Sequence, residues 1–245
     1  MARQLDEQIA ARFPVGQRLR VLDVGMGRGT QALRLARLGH QVTGVEQDAT
    51  MIAAARAALA REPEGIRERV RLVQSDGRDT GVHFLPGSFD VVLCHGVLMY
   101  VEEPDALVAG LARVLAPGGL LSLLVRNGDA LAMRPGLSGD WAGALAGFGT
   151  AACVPHSRTD ADGETPVRVG PDVRAERLAT LTATLDGIGA PLHAWYGVRV
   201  FTDTSPDDAP LPACLETLLA AEERAGRTDP YRRVAALLHL CGVRG

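Results

Sequence analysis

From residue 19 onward, short apolar runs alternate with glycine-bearing turns and with stretches whose apolar residues recur at helical spacing. The runs predict strands over 19–24, 41–45, 70–74, 89–94 and 120–125. Helices are predicted between them at 30–38, 49–61 and 105–115, the last ended by Pro117-Gly118-Gly119. From 128 to 172 the periodicity is lost among Gly, Pro and polar positions, an insertion of the kind that shapes a site or stays mobile. It returns as a helix over 174–185, a strand over 192–201, a helix over 211–224 and a strand over 236–243. Such alternation specifies an α/β chain, with a mostly parallel sheet covered by helices on both faces and one domain over 1–245.

Composition narrows the chemistry. All 26 residues of the Lys+Arg count are arginine. With no lysine, the chain excludes Schiff-base chemistry, the lysine-bearing phosphate loop and the kinase strand lysine, and every cationic contact must be a planar guanidinium. A formal net charge of −3 gives no global basic field for nucleic acid, and no apolar run is long enough to cross a membrane. Cys94, Cys153, Cys214 and Cys241 show no C-x-x-C pairing, and the N-terminus has no signal-peptide core, so a reduced, cytoplasmic protein is expected. No His/Cys cluster has metal-ligand spacing, so no metal is expected.

The sharpest local signal is Asp23-Val24-Gly25-Met26-Gly27-Arg28-Gly29-Thr30, where the first strand enters a glycine turn and then a helix. A nucleotide-type ligand crossing the end of that strand must approach the backbone more closely than a Cβ allows, and the helix start offers unpaired N–H groups. A tight strand-to-helix turn with no ligand would also use glycines. Glu46, at the end of the second strand, adds an acid positioned to accept ribose hydroxyls. Thr30 makes the spacing G-x-G-x-G rather than the G-x-G-x-x-G of dinucleotide oxidoreductases.

D-x-G-x-G-x-G followed by that acid resembles the class I S-adenosyl-L-methionine methyltransferases, and Ser75-Asp76-Gly77, Phe89-Asp90-Val91-Val92, Cys94-His95-Gly96 and Leu115-Ala116-Pro117-Gly118-Gly119 stand where that family has its later motifs. The resemblance implies a Rossmann-like, seven-stranded, mostly parallel sheet with a terminal antiparallel strand pair. It also implies cofactor contacts from Asp23, Gly25, Gly27, Gly29, Glu46, Gln47, Met51, Asp76, Gly77 and His95. Met51 would pack on the adenine ring, unless it is simply helix-to-sheet core.

One subfamily is similar over nearly the whole chain: bacterial tRNA methyltransferases that esterify 5-carboxymethoxyuridine at the wobble position. The residues that carry this likeness are His95-Gly96-Val97-Leu98 with Pro104, Leu121-Ser122-Leu123 with Asn127, Gly197-Val198-Arg199-Val200-Phe201 with Asp203, and Glu216, Leu219, Pro230-Tyr231 and His239. Those enzymes have a longer segment before the glycine loop, which leads to the expectation that this chain starts at an internal Met or belongs to a trimmed relative. They also carry a basic insertion, whereas residues 155–164 here hold three acids and one arginine, which is not a phosphate-tracking surface.

A carboxylate acceptor is already ionised at pH 7 and needs a clamp rather than a base. Arg199 is the candidate clamp, with its fork able to make two hydrogen bonds. Asn127 would orient an acceptor. A phenol, alcohol or carbon acid would instead need a base, from His95 or His156. The acceptor is thus a carboxylate, with a wobble uridine of tRNA as one case, or a small molecule of secondary metabolism; a non-catalytic protein that binds S-adenosylmethionine is the reading from another class.

Overall fold

The computed structural model describes residues 1–149, 153–154, 157–159, 166–168, 173–204, 210 and 212–245, with side chains outside 150–173, 205–209 and 211. Its centre is a seven-stranded sheet of β1 (Arg20–Val24), β2 (Gln41–Glu46), β3 (Val70–Gln74), β4 (Phe89–His95), β5 (Leu115–Arg126), β6 (Leu192–Val198) and β7 (Leu237–Val243). In space the order is β6-β7-β5-β4-β1-β2-β3. Strands β1 to β5 are parallel, and β7 runs antiparallel to both β5 and β6. The carboxyl end of β6 therefore falls at the same edge as those of β1, β4 and β5.

Alternate side chains on each strand feed two cores. On one face Leu22, Val92, Cys94, Leu121 and Leu123 pack with helix residues Leu107, Val108, Leu111, Leu181 and Leu185. On the other, Val21, Val42, Val91, Leu93 and Leu120 meet Leu5, Ala32, Leu35 and Ala36. The longer helices are α1 (Ala2–Arg12), α2 (Thr30–Arg37), α3 (Ala49–Leu59), α4 (Pro104–Val114), α5 (Leu178–Gly187) and α6 (Leu215–Ala225). Helix α3 starts where the Asp48 carboxylate accepts the N–H groups of Thr50 and Met51.

Three departures from the sequence expectations have local causes. Helix α1 was not anticipated, because its buried side is Leu5 flanked by Gln4 and Gln8, and two glutamines break the apolar stripe. Strand β5 begins at Leu115 rather than 120: Phe89 pairs with Leu115 and Val91 with Leu120, so Pro117-Gly118-Gly119 bulge out of the ladder instead of capping a helix. Strand β6 stops at Val198 and not at 201, because Arg199 takes a left-handed φ of 60°. The next three backbone N–H groups, of Val200, Phe201 and Thr202, then donate to the Glu222 carboxylate.

The stretch expected to lack periodicity contains short helices at Met133–Leu137 and Trp141–Gly147 and two small antiparallel ribbons, Cys153–Val154 with Val173–Arg174 and Ser157–Thr159 with Pro166–Arg168. His156 lies outside the described residues. Among those described, no helix is long and apolar enough to cross a membrane, and no group of three His, Cys, Asp or Glu is gathered that could hold a metal.

Candidate active site at the carboxyl edge of the sheet

Three alternate positions in the loop after β1 take a backbone conformation that favours glycine. Gly25, Gly27 and Gly29 have φ of 67°, 56° and 78°, values that cost L-residues about 1–2 kcal/mol. At Gly25 a Cβ would also stand 2.1 Å from Val97 Cγ2. Around Gly27 it would meet nothing within 4 Å, so there the backbone lies open to a ligand. The loop hangs on β2, with the Gly25 and Met26 N–H groups both donating to the Val45 carbonyl.

Glu46 closes the loop from the next strand. One carboxylate oxygen accepts the Gly27 N–H at 2.9 Å and the other the Asp48 N–H at 2.9 Å. Asp23 is buried behind it, and burial pushes its carboxyl up to about 7, opposed by a backbone hydrogen bond from Ala32 and aided by the charge of Glu46. Gln47 is exposed, and Met51 stands 36% exposed on the first turn of α3 rather than in the core.

Beyond β3, Asp76 caps a short turn and holds the Arg78 guanidinium at 2.6 Å, an ion pair that keeps its carboxyl below the usual range. A carboxylate has lone pairs beyond those Arg78 takes. Gly77 has room only for hydrogen, since a Cβ would lie 2.7 Å from Val24 Cγ1.

His95 ends β4 at the same edge. Its Nε2 is 2.8 Å from Ser122 Oγ, which is 2.8 Å from His239 Nε2, and His239 Nδ1 lies 3.0 Å from Gln4 Oε1. The Gln4 amide nitrogen donates to the Gly197 carbonyl, so its oxygen must accept, and this assigns every proton in the row. His239 Nδ1–H donates to Gln4, Ser122 donates to His239, and His95 Nε2–H donates to Ser122. His95 Nδ1 is left as a buried acceptor with no partner. Burial lowers the imidazoles to about 4 for His95 and about 3 for His239. The row was not visible in the sequence, because its members come from α1, β4, β5 and β7.

Asn127 follows β5, but its side chain faces inward. Its amide donates to the Arg233 and Ala235 carbonyls at 2.9 and 2.8 Å and its oxygen accepts the Asp129 N–H. These bonds tie the end of β5 to the residues that precede β7. Arg199 stands just past β6, bonded to the Thr202 carbonyl at 3.3 Å and 4.0 Å from an Asp203 oxygen. A surface depression of about 270 Å³, lined by Arg20, Gln41, Arg69 and Ser88, lies at the opposite, amino edge.

The comparisons with known proteins agree with this geometry. A methyltransferase-domain family pattern matches residues 22–123. The tRNA 5-carboxymethoxyuridine methyltransferase of Escherichia coli strain K12 is 31% identical over 236 residues, 96% of this chain and 83% of that protein. The chain belongs to the S-adenosylmethionine-dependent methyltransferases. Two solved structures share the fold of this methyltransferase. One is an S-adenosylmethionine-dependent methyltransferase from Mesorhizobium loti, with a TM-score of 0.59 at 19% identity, covering 97% of this chain and 96% of that one. The other is the Synechocystis magnesium protoporphyrin IX methyltransferase with bound S-adenosylhomocysteine, with a TM-score of 0.59 at 19% identity, covering 99% and 83%.

The methyltransferase uses S-adenosylmethionine, and the residues present fit it. The open backbone at Gly27 is a cradle that any Cβ would fill, the Glu46 carboxylate beside it suits a diol, and Met51 offers an uncovered apolar surface for a base. When bound, the cofactor supplies a sulfonium-activated methyl group. The protein's part is to align the acceptor and exclude water.

Proposed function

We propose that this methyltransferase transfers a methyl group to a carboxylate-bearing acceptor, the carboxymethoxy group of a wobble uridine in tRNA, in the cytoplasm. The observation that carries this reading is the 31% identity to the tRNA enzyme, which runs through 96% of the chain and so extends beyond the cofactor-binding half. The state of His95 supports it. With its imidazole at about 4 and its Nδ1 bare, His95 is a weak base at neutral pH but a ready hydrogen-bond acceptor. A carboxylate acceptor needs no proton removed. In this reading Arg199 clamps the carboxylate from beyond β6, while Asp23, the three loop glycines, Glu46, Gln47, Met51, Asp76, Gly77 and His95 serve the cofactor.

The test is transfer of labelled methyl from S-adenosylmethionine into extracted bacterial RNA. A methyl ester gives label that is lost with ribonuclease and released as methanol by mild alkali. Base-stable label, or label only in small molecules, would overturn the reading in favour of a small-molecule methyltransferase.

A further inference from the structure

Arg126 is the last residue of β5, and it ends that strand at the edge where His95 ends β4. Its neighbour Val125 packs into the core beneath α4 and α5, so the Arg126 side chain projects to the other face, the one that carries Ser122 and His239. There its Nε is buried without a hydrogen-bond partner. The guanidinium makes no ion pair or hydrogen bond among the described residues, although Asp203 and the exposed Arg134 are close enough for their charges to act on it. Burial holds it below the usual arginine range, with Asp203 opposing and Arg134 adding to the effect.

Withdrawing part of a cation from water without a partner is unfavourable, and such departures from the packing rules are expected at functional sites. Asp203 acts on it through charge alone, without a hydrogen bond or ion pair, and stands 4.0 Å from Arg199. Val198 pairs with Leu237 and Leu237 with Arg126, so Arg199 and Arg126 flank β7 with about 10 Å between their backbones. A narrow cleft beside them is lined by Met133, Val200 and Ala236 together with Arg134 and Asp203, the two residues whose charges act on Arg126.

We infer that Arg126 is a binding residue for the acceptor, its partly buried guanidinium receiving the carboxylate that is to be methylated. This rests on the proposed carboxylate substrate and makes Arg126, rather than Arg199 alone, the residue that selects for it. Pairing would satisfy the orphaned Nε and neutralise two charges in one step, which a neutral acceptor could not do. The fork of a guanidinium also fixes the plane of the carboxylate and so the direction of the attacking oxygen.

The test uses two anticodon stem-loops that differ only at the wobble base, 5-carboxymethoxyuridine against 5-methoxyuridine, titrated into enzyme saturated with S-adenosylhomocysteine. Wild type is expected to favour the carboxylate form by about 10- to 100-fold, the worth of a charged hydrogen-bonded pair. Arg126→Gln should abolish that preference and Arg126→Lys restore part of it, with S-adenosylhomocysteine affinity unchanged. Because the cation is unpaired in the free enzyme, Arg126→Gln should melt no lower than wild type. A wild-type preference that survives in Arg126→Gln overturns the inference and leaves the proposed function standing. No preference in wild type overturns the proposed function and the inference with it. A melting temperature lowered by several degrees in Arg126→Gln shows a structural arginine and also overturns the inference.

Discussion

The Glu46 carboxylate accepts the backbone N–H of Gly27 at 2.9 Å, so the acid that ends β2 braces the loop that ends β1. One side chain therefore holds the open stretch of the loop and, in the proposed reading, also meets the ribose of the cofactor. Glu46→Ala removes both functions, and a lost hydrogen bond to a charged group is worth about 1.5–3 kcal/mol. S-adenosylhomocysteine affinity is expected to fall by about 10- to 100-fold in calorimetry, with Glu46→Gln in between. An affinity within twofold of wild type would show that the brace is not the ribose contact.

The loop glycines should separate by experiment into packing and access. Gly25→Ala adds a methyl group 2.1 Å from Val97 Cγ2 in a left-handed conformation, and about 2–4 kcal/mol of stability should be lost. Adding Val97→Ala should recover part of that loss. Gly27→Ala meets no neighbour, so the expected cost is only about 1 kcal/mol of backbone strain, but its methyl group fills the cradle and cofactor affinity should collapse. Denaturant unfolding beside calorimetry distinguishes the two. Equal stability losses at both positions would refute the assignment.

Asp23 sets a pH dependence of unusual sign. Its carboxyl holds a proton up to about pH 7 in the folded chain, against an ordinary value of 3.8. Between those limits the native state binds the extra proton, so this group's contribution to stability is fully present below about pH 4 and is lost as pH rises through 7, by at most about 1.4 kcal/mol per unit. Asp23→Asn removes the titration. The stability of the variant relative to wild type should thus climb from pH 5 to pH 8, and a constant difference across that range would show that Asp23 is already ionised.

How much of this was legible in the sequence follows from how local each signal is. The strand β1, the three glycines and Glu46 are all within one βαβ unit, where spacing alone specifies geometry, and those elements appear at the expected positions. The seven strands were recognisable from their apolar runs, with errors only at the ends, where the bulge at Pro117-Gly118-Gly119 and the left-handed Arg199 answer to tertiary contacts. Helix α1 was hidden because Gln4 and Gln8 are buried for the sake of distant partners, His239 and Tyr196. Arg126 and Asn127 are adjacent in sequence and opposite in circumstance, one unpaired and one fully bonded, and only the fold reveals which is which.

The row of Gln4, His239, Ser122 and His95 predicts a second, opposite pH effect. Both imidazoles are neutral in the folded chain down to about 4 and about 3, whereas exposed ones titrate at 6.5. Their contribution is complete above pH 6.5 and is lost as pH falls from there toward 4. Ser122→Ala strands Nε2 of His95, at a cost of about 1–3 kcal/mol, and leaves Nε2 of His239 only the Cys241 thiol at 3.6 Å. The variant should unfold at markedly lower urea, while methyl transfer by wild type should show no histidine limb between pH 6.5 and 8.5. A rate that falls with an apparent pKa of 6–7 would make His95 a working base after all.

Glu222 offers a way to reach Arg199 without touching it. Its carboxylate accepts the N–H groups of Val200, Phe201 and Thr202 and the Thr202 hydroxyl, all at 2.8–3.0 Å, and so fixes the turn that follows Arg199. Glu222→Gln puts an amide NH₂ among those donors and loosens the turn. If Arg199 is part of the clamp, methyl transfer should drop by roughly tenfold or more while S-adenosylhomocysteine binds as in wild type. Arg199→Ala should abolish most transfer with the same unchanged cofactor affinity, and the double variant should be no worse than Arg199→Ala alone, because both changes act through one side chain. Additive losses would mean that Glu222 supports the site by another route, and full activity in Arg199→Ala would leave Arg126 as the sole cation of the clamp.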